Sequence, residues 1–305
     1  MEGEERMKIN LLSHYDLDGV VCEILLRKIL DEKFGKAKLT GYDKLNGHLE
    51  RLLKESEMLI ITDLAIDKTR MEMIIKSTIP ILIIDHHETS LETAKQTFKI
   101  PSNIKFVLST KYCGAGLVMQ HFKDKYEFSD DLKLLTKYTN DYDMWIHDYK
   151  ESKVLNAYFW DFSWITFNYT FKHGMNIEKY KQYLPVYEQK CKDIKVYLDA
   201  AEKIEINDTI KALIITVSRY IGDVTDHFKD FDVYFIIQNN SKIAIRFKND
   251  YGMSEIFDKT KIKFGDIIKS LGCHSLAGGI NLNESDEDNI LEIIEFIYEE
   301  ISCAK

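Results

Sequence analysis

The chain has 305 residues, 45% hydrophobic and 30% charged, enough for two domains with a core each. Its formal net charge of -9 excludes a protein that tracks long duplex nucleic acid, and no run of about 18 apolar residues offers a membrane span. The 5 cysteines are too scattered for a disulfide framework or a thiolate zinc site, and the Glu-rich start lacks a signal-peptide pattern, so a reduced, cytoplasmic setting is expected.

The first half alternates short apolar runs with helical patterns. Strands are expected at residues 8–12, 38–42, 58–62, 79–84 and 104–108. Pro80 stands at the start of its run, where a missing N–H is tolerated. Helices are expected at 20–34, 117–126 and 131–139. Such alternation implies parallel βαβ units with both sheet faces covered. Residues 157–171 are dense in aromatics, which either pack a core or stack bases; packing is expected for most of them. A charged helical stretch runs from 177 to about 203, then strands come at 212–217, 233–238 and 242–247, and a last helix at 286–301. The expected organisation is a catalytic domain over 1–175, a connecting helix over 176–205 and a second domain over 206–305.

The chemistry sits where the strands end. The first strand runs into Ser13-His14-Tyr15-Asp16-Leu17-Asp18-Gly19, a later one into Asp63, and the next into Asp85-His86-His87. A single aspartate after a strand is ordinarily a turn former or a helix cap. Three parallel strands delivering acids and imidazoles to one sheet edge is a different matter, because open parallel sheets bind ligands there. Several carboxylates in one place repel each other, and a divalent cation removes that repulsion. Oxygen-rich donors with imidazole and no thiolate favour Mn²⁺ or Mg²⁺, with Fe²⁺ or Co²⁺ as alternatives. Cys113-Gly114-Ala115-Gly116 opens a helix, and either its amides donate to a phosphate oxygen or it is a plain helix start.

Together these residues resemble the DHH superfamily of phosphoesterases. The naming triplet is Asp85-His86-His87, the D-x-D-G signature is Asp16 to Gly19, and the strand-terminal aspartate is Asp63. The fourth signature is an aspartate after a helix, here Asp141 by its position, with Asp143 left open. Gly272-Cys273-His274-Ser275-Leu276-Ala277-Gly278-Gly279 looks like the glycine-rich signature of the DHHA1 domain, with Cys273 in place of a glycine and Arg246 as the accompanying arginine. Many family members carry a histidine four residues before the first aspartate of D-x-D; Leu12 stands there, and His14 lies two residues before Asp16. That spacing is most similar to oligoribonucleases of the nanoRNase B type.

The resemblance implies an α/β fold: a parallel-sheet DHH domain with flanking helices, a smaller α/β DHHA1 substrate-binding domain, and a cleft between them. It implies two divalent ions, Mn²⁺ first and Mg²⁺ or Co²⁺ after it, held by His14, Asp16, Asp18, Asp63, His86 and Asp141 or Asp143, with Asp63 shared. His87 and Asp85 are the implied catalytic pair. Arg246, Gly272, His274, Gly278 and Gly279 are the implied grip on substrate. The implied reaction is hydrolysis of short RNA or DNA oligonucleotides, nanoRNA foremost, to nucleoside monophosphates, by a chain that can form a homodimer. The alternatives are a cyclic (di)nucleotide phosphodiesterase, a phosphoadenosine-phosphate phosphatase and, in a different class, a non-catalytic nucleotide-binding protein.

Overall fold

The runs MLIIT and ILIID are apolar without alternation, the pattern of strands covered on both faces. They form β3 (Met58–Thr62) and β4 (Ile81–Asp85) at the middle of a five-stranded parallel sheet. With β1 (Ile9–His14), β2 (Phe34–Thr40) and β5 (Ile104–Leu108), the order is β2-β1-β3-β4-β5. The computed structural model describes residues 8–96, 99–199, 202–207, 210–217, 231–249, 251–274 and 277–303.

Register fixes the functional edge. Ser13 pairs with Thr62, and Thr62 with Ile84, so His14, Asp63 and Asp85 emerge at one level. On one face, Leu12, Ile61 and Ile83 pack with residues of α2 (Leu45–Glu55) and α3 (Lys68–Ile74). The other helices of the first unit are α1 (Leu17–Leu30), α4 (Glu88–Lys95), α5 (Gly114–Phe122), α6 (Asp130–Asp143) and α7 (Lys150–Phe171). Helix α1 packs against α5, α6 and α7.

Several elements differ from the sequence reading. Helix α1 starts at Leu17 rather than at residue 20, because the side chain of Asp16 caps it by accepting from Gly19 N. It ends at Leu30, and the residues read as its last turn form a short 3₁₀ turn and the start of β2. Helix α6 runs on to Asp143, four residues past the expected end. Helix α7 breaks at Ser163, whose φ of 72° is not helical. Around that break Tyr158, Phe159, Phe167 and Phe171 are buried, while Trp160, Phe162 and Tyr169 are exposed.

Helix α8 (Ile177–Asp199) contains the division between two compact units, residues 1–187 and 188–305. The second unit has a six-stranded mixed sheet: β6 (Glu202–Asn207), β7 (Ile210–Val217), β8 (Val233–Gln238), β9 (Lys242–Phe247), β10 (Ile268–His274) and β11 (Ala277–Leu282), in the order β10-β11-β9-β8-β7-β6. Only β7 and β8 pair in parallel among them. One face packs with α9 (Met253–Phe264) and α10 (Glu287–Cys303) through Phe235, Ile245, Phe257, Ile293 and Ile297. The other face carries Leu213, Ile215, Tyr234 and Ile236 against Ile194 of α8. The strands β10 and β11 went unread because glycines inside them mimic a turn. Among the described residues no helix is long and apolar enough to cross a membrane.

Candidate metal centre

The loop after β1 builds the first part of the site. His14 Nδ1 lies 2.6 Å from Asp16 Oδ2 and 3.9 Å from Asp63 Oδ2. A Cβ at Gly19 would stand 2.0 Å from the His14 carbonyl, so this signature position admits only glycine. Asp18 is buried, and both its oxygens are taken by the start of α5: Gly114 N donates at 2.6 Å and Ala115 N at 2.8 Å. The neighbouring amides are also committed, Cys113 N to Asn140 Oδ1 and Gly116 N to Cys113 Sγ. This segment is therefore a helix start that orients a carboxylate, and its amides are not open to a phosphate oxygen.

Asp63 joins two groups. Its Oδ1 lies 3.2 Å from His86 Nε2, and its Oδ2 faces His14 and is buried without a hydrogen-bond partner. Its φ of 54° is left-handed, a conformation aspartate tolerates better than most residues. Asp143 Oδ2 lies 3.5 Å from His86 Nε2 and is likewise buried without a hydrogen-bond partner. Asp85 is engaged differently: His87 Nδ1 lies 2.7 Å from one oxygen and Ser90 Oγ donates to the other at 2.5 Å.

Of the two aspartates at the end of α6, the structure brings Asp143 to the cluster and not Asp141. The Asp141 carboxylate accepts from Asp148 N at 2.9 Å, Tyr149 N at 3.2 Å and Ser152 Oγ at 2.6 Å. It holds the adjoining loop in shape, and none of its oxygens joins the ligand sets at the sheet edge. Position after a helix does not reveal which of two aspartates faces the sheet edge.

Three overlapping sets place ligand atoms within 4.8 Å of one another: His14, Asp16 and Asp63; Asp18, His86 and Asp143; and Asp63, Asp85, His86 and His87. The electrostatics carry the mark of this crowding. Burial, reinforced by Asp143, pushes the Asp18 carboxyl up to about 7. Burial also lifts Asp143 to about 6, with Asp16 adding to it and His86 opposing it. Asp63 rises well above the carboxylate range through burial and then its aspartate neighbours. Burial works against a charge on His14 and His86, yet the carboxylates, Asp16 and Asp143 foremost, hold both imidazoles above their ordinary value. Burial likewise opposes ionisation of Asp85, but His87 beside it keeps it low. Excess buried negative charge, two orphaned carboxylate oxygens and a mixed oxygen–imidazole donor set fit divalent cations.

Two neighbours escaped the sequence reading. Ser90 supports Asp85, and Tyr42 stands against His14 and His87. Tyr42 lies just past the end of β2, so reading every strand end rather than the acidic ones would have found it.

In the second unit, Arg246 Nη1 donates to the carbonyls of Ile245 at 2.8 Å and Gly278 at 3.2 Å. Register sets three parallel rows on the sheet face bearing Arg246. Arg246 pairs with Ala277 and Ala277 with His274; Ala244 with Gly279 and Gly279 with Gly272; Lys242 with Asn281 and Asn281 with Ser270. Nothing would meet a Cβ at Gly272 or Gly279, so these two form a bare floor between the outer rows, while Ala244 at the end of their row is buried with Ile194 and Tyr234. Gly278 has another reason: a Cβ there would stand 2.3 Å from Phe257 Cζ. The His274 side chain, Ser275 and Leu276 lie outside the described residues.

Residues 8–143 match the family model described as "DHH family, N-terminal domain". No curated protein matches the chain at the sequence level. Among solved structures, the chain is similar to a DHH domain from a member of a family of ribosomal proteins, with TM-score 0.70 and 18% identity over 97% of this chain and 87% of that one. It is similar to the exonuclease RecJ bound to manganese, with TM-score 0.60 and 12% identity over 98% and 91%. It is also similar to the pGpG-specific phosphodiesterase PggH from Vibrio cholerae, with TM-score 0.53 and 14% identity over 98% and 100%. At these identities the likeness is one of fold. The family match falls on the residues that build the candidate metal centre, so residues 8–143 are the part of this chain that carries a DHH-family N-terminal domain.

Proposed function

We propose that this chain is a divalent-cation-dependent phosphodiesterase that hydrolyses short oligonucleotides, nanoRNA foremost, to nucleoside monophosphates. The observation that carries the reading is the Asp63 carboxylate turned one oxygen to each of two ligand sets, beside an imidazole anchored by Asp85. That an exonuclease bound to manganese and a pGpG-specific phosphodiesterase share the fold supports it.

His14, Asp16 and Asp63 would hold one cation, and Asp18, His86 and Asp143 the other, with Asp63 Oδ1 beside His86 of that second set. Bound there, divalent cations lower the pKa of water and neutralise charge on a scissile phosphate. The amides of Gly114 and Ala115 fix Asp18 in place, so it needs no reorganisation to serve. Asp85 accepts the hydrogen bond of His87 Nδ1 and so orients the imidazole, which would stabilise developing charge at the reacting phosphate or assist the leaving oxygen. In the second unit, the rows of Arg246 and Lys242 flank the bare floor of Gly279 and Gly272, where a nucleotide's phosphate would approach backbone directly. His274 would complete that grip.

The test is Mn²⁺-dependent hydrolysis of a 5′-labelled RNA ladder from dinucleotide to about 24 nucleotides, a length beyond a single-domain single-strand site. Short species of roughly two to five nucleotides are expected to vanish while longer RNA is spared. The Asp85→Ala, His86→Ala double variant is expected to be inert. Survival of every length overturns the oligoribonuclease reading and turns the search to cyclic nucleotides and phosphoadenosine phosphate.

A further inference from the structure

We infer that Tyr42 is a positioning residue of the metal centre, its hydroxyl joining the loop that carries Asp63 to the imidazole of His87. The consequence for turnover rests on the phosphodiesterase reading; the consequence for His87 rests on geometry alone.

Tyr42 lies in the turn after β2, a strand end that contributes no acid to the cluster. Its oxygen accepts the N–H of Ala65 at 3.0 Å and lies 3.4 Å from His87 Nε2. Its ring centroid is 5.3 Å from that of His14. One side chain therefore touches the carboxyl end of β1 and the loops leaving β3 and β4, and ties all three to the loop after β2.

Asp63 needs such a tie. Its backbone is left-handed, and that conformation persists only where the surroundings over-determine it. Two side chains hold the residues just beyond it: the Tyr42 hydroxyl takes Ala65 N, and Ser90 Oγ takes Ile66 N at 2.8 Å. Ser90 in turn donates to Asp85, the partner of His87. Both supports thus bind the Asp63 loop with one hand and the Asp85–His87 pair with the other. Arg70 fixes the same loop from outside, donating to Ala65 O at 3.3 Å and to Asp67 Oδ2 at 2.8 Å.

The hydrogen bonds also have a direction. The Asp85 carboxylate can only accept, so His87 Nδ1 carries the proton. The Tyr42 oxygen accepts from Ala65, so its own hydrogen is free to point at His87 Nε2. Tyr42 thereby holds the tautomer and the plane of the imidazole, as partners around metal sites do for ligating histidines.

Two substitutions in the full chain separate the hydroxyl from the ring. Tyr42→Phe removes the hydroxyl and keeps the contact with His14; Tyr42→Leu removes both. Three readouts are needed: Mn²⁺ affinity by calorimetry, steady-state kinetics on a dinucleotide, and ¹⁵N NMR of the His87 ring in metal-free protein. For Tyr42→Phe, kcat is expected to fall about tenfold with KM and Mn²⁺ affinity unchanged, and the His87 signals to move away from those of a single Nδ1–H tautomer. Tyr42→Leu is expected to weaken Mn²⁺ binding as well. A Tyr42→Phe protein with parental kcat and parental His87 signals overturns the inference. So does one that loses Mn²⁺ affinity as fully as Tyr42→Leu, since the hydroxyl would then merely support the fold. If the parent chain cleaves no phosphodiester, the functional reading falls and the His87 spectrum still decides: a shift sustains the role of Tyr42 and its absence ends it.

Discussion

The two units are suited to a charged ligand by opposite means. The first gathers acids and imidazoles at one sheet edge and fixes each with a neighbour, Asp18 by α5 amides and Asp85 by Ser90 and His87. The second offers a place where side chains are missing, the floor of Gly279 and Gly272, with the rows of Arg246 and Lys242 on either side. Crowded charge suits chemistry, because it holds cations and stays put. Bare backbone suits binding, because a ligand can come close without displacing anything. Substitutions in the first unit should therefore abolish turnover, and those in the second should change substrate affinity.

The largest expected effect is at Asp63. Asp63→Asn removes the shared charge and is expected to lower kcat on the order of a thousandfold or more, ~4 kcal/mol, with weakened Mn²⁺ binding by calorimetry. Metal-free Asp63→Asn protein should melt no lower than the parent, because it loses buried repulsion. A lower melting temperature would mean that Asp63 has a structural partner. The neighbouring pair at the end of α6 sharpens the point. Asp143→Asn is expected to lose Mn²⁺ affinity with little change in stability. Asp141→Asn is expected to keep Mn²⁺ and lose about 1–3 kcal/mol of stability as its hydrogen bonds fail. Chemical denaturation and calorimetry on the two proteins settle which does which.

The same contrast explains what could be read from sequence. Strand-terminal acids are legible because continuous apolar runs announce β3 and β4, and the residues directly after those runs must lie at the carboxyl edge. Asp16, Asp18, Asp63, His86 and His14 come together as that rule requires. The choice between Asp141 and Asp143 was not legible, since it depends on helical phase and on a loop wrapped around Asp141. Tyr42 and Ser90 were missed because their value lies in what they touch. In the second unit, no strand was expected at the glycine-rich signature, since only pairing with β9 and packing against Phe257 show that its glycines lie in strands.

Metal-free protein should also betray its crowding through pH. Asp18 and Asp143 carry folded values of about 7 and about 6, above the ordinary carboxylate value of 3.8. A carboxyl raised on folding binds its proton more tightly in the folded state, so stability is greatest at low pH and falls as pH rises from near 4 through those values. The raised His14 and His86 act in the same direction above 6.5. In EDTA, denaturation midpoints are expected to decline between about pH 4 and pH 7, and Mn²⁺ is expected to flatten that decline. A flat profile without metal would mean that the acids are already compensated.

The smaller effects belong to the second unit, where glycines of one segment should behave differently. Gly278→Ala drives a methyl into Phe257 and is expected to destabilise the chain by about 1–3 kcal/mol. Gly279→Ala meets nothing and should fold normally, yet its methyl stands on the floor between the polar rows. It is expected to raise KM several-fold with kcat held. Lys242→Ala should do the same more weakly, by removing one of two cations, and its effect should fade as salt rises. Lys242 is partly buried and pushed below its ordinary value, by burial first and then by Arg246, which is the cost of keeping two cations together. An anion between them would relieve that repulsion, so phosphate should protect the parent against thermal unfolding more than it protects Lys242→Ala. Equal protection would place the anion elsewhere and leave the bare floor as a feature of packing alone.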